Sequence, residues 1–363
     1  MTIKPKTAPS FNSSMGERSQ PNHKSILITG GAGFIGSHLA EFLLAKGHRV
    51  SILDDLSTGT LANIQHLMSD ASFEFARADV NNEVVLDRLA SNAHTIVHLA
   101  AAVGVQLIVQ KPVHTILTNI KGAEAVLNAA LRYGCLTFMA STSEVFGKGV
   151  KVPFAEEDDV LLGATSKSRW SYAVSKMVDE CLAFAYYREY GLPVVLARLF
   201  NTVGPRQRGY YGMVIPRMVR QALANQPITV YGTGSQRRCF SDVRDVVEAI
   251  YLLIESPNAA GELFAIGSQN EITILELAGR IRDMSGSRSE IILVPYQNAY
   301  GPGFEDMERR VPDTSKITES VGWRPAYGLD ETLRRVIDWC RTNPEPDSGL
   351  SLVLPHESNV QKT

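Results

Sequence analysis

The sequence has few of the features that mark several classes of protein. Its 363 residues include only four cysteines, no uninterrupted apolar stretch long enough to span a bilayer, and a formal net charge of only −2. The cysteines are widely separated without metal-ligand spacing, so we expect reduced thiols and no metal site. The balanced charge gives no footprint for nucleic acid or for an anionic membrane. With no apolar signal segment at the N-terminus, we expect a cytoplasmic protein without nucleic-acid or membrane partners.

The sequence does have an ordinary globular composition with alternating strand and helix patterns. Apolar residues make up 44% and charged residues 20% of the chain, and the length allows one large domain or two coupled domains. Short β-branched runs alternate with helical patterns as far as about residue 200, which predicts an α/β fold with a doubly wound parallel sheet. The predicted strands of this sheet are 25–30, 49–54, 73–77, 94–98, 136–140 and 193–198.

A glycine-rich turn joins the first predicted strand to the first predicted helix. The apolar run 25–29 is followed by glycines spaced G-x-x-G-x-x-G and then by an amphipathic pattern over 37–46. Glycines in this context let the helix N-terminus approach the pyrophosphate of a dinucleotide. The residues predicted to bind the cofactor at this turn are Gly30, Gly33, Phe34, Ile35 and Gly36.

The ends of the next strands complete the predicted cofactor site. The second strand ends at Asp54, where an acid hydrogen-bonds the ribose hydroxyls and repels a 2′-phosphate, so NAD is favoured over NADP. Asp79 follows the third strand and either binds the adenine amino group or caps a turn; Val80 beside it is included in the predicted site. We interpret His98, inside the fourth strand, as a packed core residue. Small side chains after this strand admit the nicotinamide ribose, and the predicted contacts there are Leu99, Ala100 and Ala101.

A phenol and an ammonium group lie four residues apart on a predicted helix. Tyr172 and Lys176 share one helix face, and a neighbouring lysine favours the phenolate, so we expect a lowered pKa that suits Tyr172 to act as a base. Ser141, Thr142 and Ser143 follow the fifth strand at the sheet edge where ligands bind. A hydroxyl there would hold both the tyrosine and a substrate hydroxyl. A solvated helix face and a polar turn are the alternative interpretations.

The chain divides into four predicted regions. Residues 1–23 lack periodicity and are predicted to be a disordered arm, and 343–363 are predicted to be a flexible tail. Residues 24–200 form the predicted NAD-binding Rossmann domain. Residues 201–342 mainly form a smaller α/β substrate-binding lobe, with strands near 228–231, 262–266 and 291–294 and helices near 213–224, 242–256, 273–285 and 330–342.

Together these motifs resemble the extended short-chain dehydrogenase/reductase family, the NAD-dependent epimerases, dehydratases and decarboxylases of nucleotide sugars. The resemblance covers about 24–342. It implies that Tyr172 removes the proton of the sugar 4-hydroxyl while a hydride passes from C4 to NAD. Four runs are most like the UDP-glucuronate decarboxylase branch: 141–147, 169–172, 237–240 and 300–306.

The resemblance also implies roles for the other candidate residues. Lys176 would anchor the nicotinamide ribose, Thr142 would orient the substrate, and Glu144 would be a catalytic carboxylate with Ser143 beside it. Arg238 would engage the substrate carboxylate, because a guanidinium binds a carboxylate through two hydrogen bonds. The alternatives for Arg238 are a mere surface charge or replacement by its neighbouring arginine. Further substrate-binding residues would be Asn201 at the diphosphate, Val214, and Arg310 at a phosphate.

The resemblance leaves two reactions open, and both begin with oxidation at C4. Decarboxylation of UDP-glucuronate is favoured, because many 4-epimerases of the family have a small residue or valine in place of Glu144. The segment 207–216, however, resembles that of UDP-hexose 4-epimerases as much as that of decarboxylases. A non-catalytic NAD-binding regulator is a third hypothesis. The resemblance also suggests a homodimer formed through the helices near 112–132 and 169–190.

Overall fold

The computed structural model of this chain describes residues 23–104, 108, 111–149, 151–209, 213–300 and 307–344. Nearly all of the predicted arm and tail, and the run 301–306, lie outside the described residues. The strands are β1 (Ser25–Thr29), β2 (Arg49–Asp54), β3 (Phe73–Arg77), β4 (Thr95–His98), β5 (Leu136–Thr142), β6 (Val194–Leu199), β7 (Thr202–Val203), β8 (Ile228–Tyr231), β9 (Arg237–Cys239), β10 (Ser241–Asp242), β11 (Glu262–Ile266), β12 (Glu271–Thr273), β13 (Ile291–Val294) and β14 (Arg309–Arg310). The helices are α1 (Phe34–Ala45), α2 (Glu83–Ala90), α3 (Pro112–Tyr133), α4 (Ser171–Tyr190), α5 (Val214–Leu223), α6 (Val243–Glu255), α7 (Ile274–Ser285), α8 (Tyr296–Tyr300), α9 (Ser315–Val321) and α10 (Leu329–Thr342).

A seven-stranded sheet forms the centre of the fold, in the order β3-β2-β1-β4-β5-β6-β11. Every neighbouring pair of strands is parallel, with registers such as Ile28 beside Ile52 and Thr29 beside His98. The chain winds outward from β1 to β3 and then crosses to β4 on the other side of β1. This is the predicted doubly wound sheet. Sheets of this kind bind ligands at the carboxyl ends of the strands where the order reverses.

The central sheet is buried on both faces because its strands are apolar at consecutive positions. Ile26 and Ile28 of β1 join the core that includes α1 and α6, whereas Leu27 joins the core that includes α2, α3 and α4. All three side chains are at most 1% exposed. Burying an aliphatic side chain of this size contributes about 1.5–3 kcal/mol relative to exposure. The two helix layers therefore fix the strand ends that carry the site.

Strand β11 corrects one prediction from the sequence. The pattern over 262–266 predicts a strand of the second lobe, but β11 pairs with β6 and forms an edge of the main sheet. Helix α6 makes the crossover and buries Val246 and Ile250 in the main core. A strand–helix–strand crossover returns the chain to the same parallel sheet. The sequence between 201 and 242 has no regular strand–helix alternation, so the pattern does not indicate that the chain returns to the main sheet.

The second lobe lies across the carboxyl ends of the central strands. Its core packs α5, α7 and α10 around Met218, Leu277 and Leu333, which are fully buried. Strand β13 pairs with β8, and β9 lies between β12 and β14. The register of β14 on β9 places Arg310 beside Arg238. A cavity of about 470 Å³ lies between this lobe and the strand ends.

The helix boundaries agree closely with the sequence patterns except at α1. This helix begins at Phe34 instead of residue 37, with Gly33 as its N-cap. The glycine turn therefore already contains the first turn of the helix. Among the described residues, no helix is both long enough and apolar enough to cross a membrane.

Candidate active site

The glycine turn packs directly against the end of β4. Gly30 has a φ of +72°, and a Cβ there would lie 2.7 Å from the backbone nitrogen of Ala100. A Cβ at Gly36 would lie 2.5 Å from the carbonyl oxygen of Gly30. Both distances are shorter than real Cβ contacts, so these two positions need glycine. Because neither residue has a side chain, the turn packs closely against the end of β4, and the N-terminus of α1 lies at the cavity.

The first turn of α1 is suited to an anion. Gly33 is the N-cap, so no side chain satisfies the first N–H groups, and the first turn contains no acid. These N–H groups and the helix dipole favour a negatively charged ligand. Arg206 reaches the same helix, where it donates to Ser37 Oγ at 3.2 Å and forms an ion pair with Glu41 at 2.5 Å. The turn therefore fits the pyrophosphate of a dinucleotide.

Asp54 ends β2 at the cavity wall, as predicted. Its Oδ2 accepts a hydrogen bond from the N–H of Ala32 at 2.9 Å, and its Oδ1 accepts one from the N–H of Leu56 at 2.8 Å. Burial raises the pKa of Asp54, and these two bonds only partly oppose the shift. Each carboxylate oxygen keeps a second lone pair, so Asp54 holds the turn and can still accept from ribose hydroxyls. The turn, the helix terminus and this acid together fit NAD.

A buried asparagine ties the end of β4 to the helix that carries Tyr172. Asn119 of α3 accepts from the N–H of Ala102 at 2.8 Å and donates to Ser175 Oγ at 3.0 Å. The Ser175 hydroxyl in turn donates to the carbonyl of Tyr172 at 2.8 Å. Sequence reasoning missed Asn119, although a polar residue on a buried helix face is a usable signal. The clamp fixes the cofactor wall relative to the phenol.

Tyr172 lies at the cavity wall, with its phenol hydrogen-bonded to Thr142 at the end of β5. Burial raises the pKa of Tyr172, and the charges of Glu144 and Asp179 raise it further, against the opposing bond to Thr142. The expected lowering of this pKa by Lys176 is therefore wrong. The main reason is burial of the phenol, and the carboxylate of Asp179, whose Oδ2 lies 2.8 Å from Lys176 Nζ, also offsets the lysine charge.

The first hydroxyl of the Ser141–Ser143 run belongs to a separate buried cluster. Ser141 donates to Glu180, and Arg198 of β6 binds both oxygens of Glu180, at 2.9 and 2.8 Å. The guanidinium of Arg198 also lies 4.5 Å from the ring centroid of Phe146. These contacts tie β5, β6 and α4 together. They leave Thr142 as the hydroxyl that binds Tyr172.

Glu144 is held between two arginines just after β5. Its Oε2 lies 2.5 Å from Arg169 Nη1 and its Oε1 lies 2.8 Å from Arg310 Nη2. The side chains are 13% exposed for Glu144, 5% for Arg169 and 7% for Arg310. Arg310 Nη1 also donates to Ser143 Oγ at 3.5 Å. Burial alone would raise the pKa of Glu144, but the two guanidinium groups outweigh burial and lower it to about 2. Glu144 is therefore an anion at neutral pH.

The predicted substrate-binding residues have partners within the protein. Arg310, expected at a phosphate, lies on Glu144 because the register of β14 with β9 carries it to the end of β5. The side-chain amide of Asn201 donates to the carbonyl of Cys239 at 2.9 Å and so holds β9. Arg238 lines the cavity beside Arg310 and donates to a neighbouring backbone carbonyl at 2.8 Å. Their contacts with substrate stay predictions.

Two predicted cofactor residues do not line the cavity. Asp79 instead accepts from the backbone N–H of Asn81 at 2.7 Å, a side-chain turn that aspartate forms readily, and Val80 packs into the core. The turn was the alternative left open for Asp79. The predicted residues that do line the cavity are Gly30, Gly33, Phe34, Ile35, Gly36, Asp54, Leu99, Ala100, Ala101, Thr142, Ser143, Glu144, Tyr172, Lys176, Asn201, Val214, Arg238 and Arg310.

The cavity wall is strongly cationic, although the chain has a net charge of −2. Among the residues that the structure describes, seven cationic side chains and two carboxylates line it. A cleft lined mainly by one sign of charge concentrates ligands of the opposite sign. Sequence reasoning gave no role to four of these cations; the signal for Arg169 was its place three residues before Tyr172 in the run 169–172. The cationic residues are Arg169, Lys176, Arg206, Arg208, Arg217, Arg238 and Arg310.

Comparison with known proteins identifies the family. The family model described as GDP-mannose 4,6 dehydratase matches residues 27–336. The chain belongs to this family. It is also 41% identical over 320 residues to UDP-N-acetyl-alpha-D-glucosaminuronate decarboxylase of Bacillus cytotoxicus, a match that covers 88% of this chain and 98% of that protein. This family member is thus an enzyme of the extended short-chain dehydrogenase/reductase type, as the motifs predicted.

Two further matches show the range of chemistry among similar proteins. UDP-glucuronic acid decarboxylase 1 of Danio rerio is 35% identical over 343 residues, covering 94% of this chain and 76% of that protein. A solved structure of UDP-glucuronic acid 4-epimerase from Bacillus cereus, in complex with UDP-glucuronic acid and NAD, has a TM-score of 0.79 and 28% identity, covering 88% of this chain and 99% of that one. The family member thus resembles decarboxylases in sequence and a 4-epimerase in structure.

Proposed function

We propose that this family member is an NAD-dependent UDP-hexuronate decarboxylase that oxidises the sugar at C4 and then releases its carboxylate as CO₂. The observation that carries the proposal is the group of Glu144, Arg169 and Arg310 next to Tyr172 and Thr142. In this group Tyr172 can act as the base for the C4 hydroxyl, and the arginines supply positive charge for the substrate carboxylate. Similarity to decarboxylases of two UDP-hexuronates supports the same reaction.

The charges of the cavity suit a substrate with two anionic groups. A UDP-hexuronate has a diphosphate at one end of the sugar and a carboxylate at the other. Arg310 and Arg238 are neighbours in register, so two guanidinium groups face the cavity from one side of β9 and β14. Farther along the wall, Arg217 lies 4.1 Å from the ring centroid of Tyr231, which offers a flat surface for a nucleotide base. Guanidinium groups favour both carboxylate and phosphate.

The chain's residues can be assigned to the steps of this reaction. The glycine turn and Asp54 would hold NAD, which would supply a reversible hydride acceptor for C4. Tyr172, held by Thr142, accepts the proton of the 4-hydroxyl, and Lys176, whose charge Asp179 partly offsets, still favours its phenolate. The product of this step is a β-keto acid, so the bond from C5 to the carboxylate carbon breaks and its electron pair forms an enolate with the C4 carbonyl. Water supplies the proton that C5 takes up as the enolate becomes a 4-ketopentose. Tyr172 then returns its proton to the C4 oxygen when this ketone is reduced.

Arg310 is the arginine best placed for the substrate carboxylate. Arg310 forms an ion pair with Glu144 and donates to Ser143, which follows Thr142, the residue that bonds Tyr172. Arg238 lies on the neighbouring strand β9. We therefore propose that Arg310, assisted by Arg238, binds the substrate carboxylate, whereas the sequence resemblance assigned this role to Arg238 alone. Since the pKa of Glu144 is about 2, Glu144 acts as a fixed anion that orients Arg310 and does not carry protons at neutral pH.

A substrate survey tests the proposed function. Purified enzyme with NAD is incubated separately with UDP-glucuronate, UDP-N-acetylglucosaminuronate and UDP-glucose, and CO₂, NADH and sugar products are measured together. We expect CO₂ and a UDP-pentose from at least one hexuronate and no conversion of UDP-glucose. The second candidate is a UDP-sugar 4-epimerase, favoured by the structural likeness to a 4-epimerase bound to UDP-glucuronic acid. A product that keeps its carboxylate with C4 inverted would establish that candidate instead.

The homodimer is also part of the proposal. Helices α3 and α4 pack against each other, and each exposes apolar side chains: Val113 and Leu117 on α3, Tyr187 and Tyr190 on α4. The contacts of Asn119 with Ser175 and of Asn128 with Tyr186 show that the two helices run parallel, so these side chains lie at both ends of the pair. A second copy packed along the pair would cover both ends. Light scattering should give a dimer for the wild type and a monomer for Leu117→Glu; a monomeric wild type would contradict this assignment. The cytoplasmic location remains a prediction from the sequence.

A further inference from the structure

Helix α4 carries a third polar residue on the face of Tyr172 and Lys176. Asp179 follows Lys176 by three residues, and Lys176 follows Tyr172 by four, so the three side chains share one face. Lys176 Nζ lies 2.8 Å from Asp179 Oδ2, and both side chains are 3% exposed. Within the described residues Lys176 is the one polar partner of Asp179: its Nζ binds Oδ2, and Oδ1 has no hydrogen-bond partner.

The neighbouring acid shows that burial alone does not explain Asp179. Glu180 is held by both nitrogens of Arg198 and by Ser141 in a fully satisfied cluster. Asp179 has no such support. Burial raises the pKa of Asp179, and Lys176 only partly opposes the shift. Since an apolar residue at such a position is often neutral or more stable than a buried ion pair, a poorly supported buried acid is a functional candidate.

We propose that Asp179 is a positioning residue that fixes Lys176 Nζ by its ion pair, offsets the lysine charge, and so sets the pH at which Tyr172 ionises. The inference rests on the proposed function in treating Tyr172 as the base. Lys176 lines the cavity and Asp179 does not. Asp179 therefore acts through Lys176 and not on the substrate.

The other groups around this pair leave Asp179 as the adjustable charge. From β4, His98 bonds Thr29 at 2.7 Å, and burial together with the charge of Lys176 lowers its pKa to about 3, so it is neutral. From the end of β5, Thr142 bonds the phenol and Glu144 adds a constant negative charge. On α4 itself, Glu180 is paired with Arg198. Removing the charge of Asp179 therefore leaves Lys176 as an uncompensated cation beside Tyr172.

The test replaces Asp179 by Asn, which keeps the shape and removes the charge. The phenolate of Tyr172 then becomes easier to form, so the acidic limb of the kcat/KM profile should move to lower pH by about half a unit or more. Asp179→Asn should also bind NAD less tightly relative to NADH, because the oxidised nicotinamide is cationic and loses a nearby negative charge. We expect the ratio of the Kd for NAD to the Kd for NADH to rise about threefold. A merely structural role would weaken both cofactors alike.

A matched control and a rescue variant complete the design. Asp338 pairs with Arg341 at the same i,i+3 spacing but is 71% exposed, so Asp338→Asn should change neither readout. Asp179→Glu restores the charge and should return the acidic limb toward its wild-type position. An unshifted limb together with an unchanged Kd ratio in a folded Asp179→Asn protein would overturn the proposal.

Two measurements keep this inference separate from the reaction itself. The Kd ratio needs no substrate, so it can hold even if no hexuronate is decarboxylated. The phenolate absorbance, minus that of the matching Tyr172→Phe protein, gives the pKa of Tyr172 directly. We expect this pKa to be lower in Asp179→Asn than in the wild type, because the charge of Lys176 is then no longer offset. An equal pKa in the two proteins would contradict the proposal.

Discussion

Arg310 Nη2 lies 2.8 Å from Glu144 Oε1, and this ion pair joins the last strand of the second lobe to the end of the central strand β5. Arg169, just before Tyr172, binds the other oxygen of Glu144. One carboxylate therefore connects the sheet, the helix of the base and the substrate lobe. Because all three groups are largely buried, removing one leaves an uncompensated charge on the others.

Loss of the phenol should stop turnover without preventing binding. We expect Tyr172→Phe to lower kcat by about 10²-fold or more, the usual scale for losing a general base, while NAD and substrate bind nearly as before. Calorimetric titration and steady-state rates measure the two effects. Tyr190→Phe is the matched control, because Tyr190 lies on the same helix but is 52% exposed. Wild-type kcat in Tyr172→Phe would remove the tyrosine from the mechanism.

The cofactor preference should depend on Asp54. Asp54→Asn removes the charge at the ribose, so we expect weaker NAD binding and a gain in affinity for NADP. The control is Asp55→Asn, because the neighbouring Asp55 is exposed and accepts a hydrogen bond from the N–H of Ser57 at 2.8 Å. Fluorescence titration with both cofactors gives the Kd ratio. Equal affinity of the wild type for NAD and NADP would show that Asp54 does not select the cofactor.

Arg310 should matter more to a hexuronate than to a neutral sugar. Arg310→Ala removes a buried charged partner, so we expect a loss of about 2–5 kcal/mol in binding UDP-glucuronate and a much smaller loss for UDP-glucose. Arg309→Ala is the control, because Arg309 is 51% exposed and pairs with Glu271 at 2.7 Å. The same comparison with Arg238→Ala ranks the two arginines. If both substrates weaken equally in Arg310→Ala, the carboxylate assignment is wrong.

Glu144 should contribute to stability over a defined pH range. Its pKa is lowered from 4.5 to about 2 in the folded protein, so its contribution is present above the unfolded value and is lost as the pH falls through the folded one. Urea unfolding of wild type and Glu144→Gln should differ most above pH 4.5 and converge toward pH 2. A constant difference across this range would contradict the double ion pair.

The fold was largely predictable because its signals are local. The six strands predicted in the first half and the glycine turn follow from short apolar runs and from spacing, which each stretch of sequence carries by itself. The place of β11 was not predictable in this way. Its pairing with β6 depends on a crossover through α6 that begins far along the chain, so the pattern over 262–266 shows a strand but not its sheet.

The site was predictable as a set of residues but less so as a set of contacts. The cavity collects nearly all of the predicted residues, because motifs at strand ends converge at one sheet edge. The partners were hidden: Asp179 offsets Lys176, and Arg310 reaches Glu144 through the register of β14 on β9. Such contacts depend on tertiary placement and burial, which reversed the expected direction of the pKa of Tyr172.

The most direct test of the account follows the carboxyl carbon. Wild-type enzyme with NAD is incubated with UDP-glucuronate or UDP-N-acetylglucosaminuronate carrying ¹³C in the carboxylate, and both the gas and the nucleotide sugars are analysed. The account predicts labelled CO₂ in step with an unlabelled UDP-pentose, and neither product from Tyr172→Phe at a comparable rate. Label retained in a hexuronate inverted at C4, with no labelled CO₂ from either substrate, would contradict it.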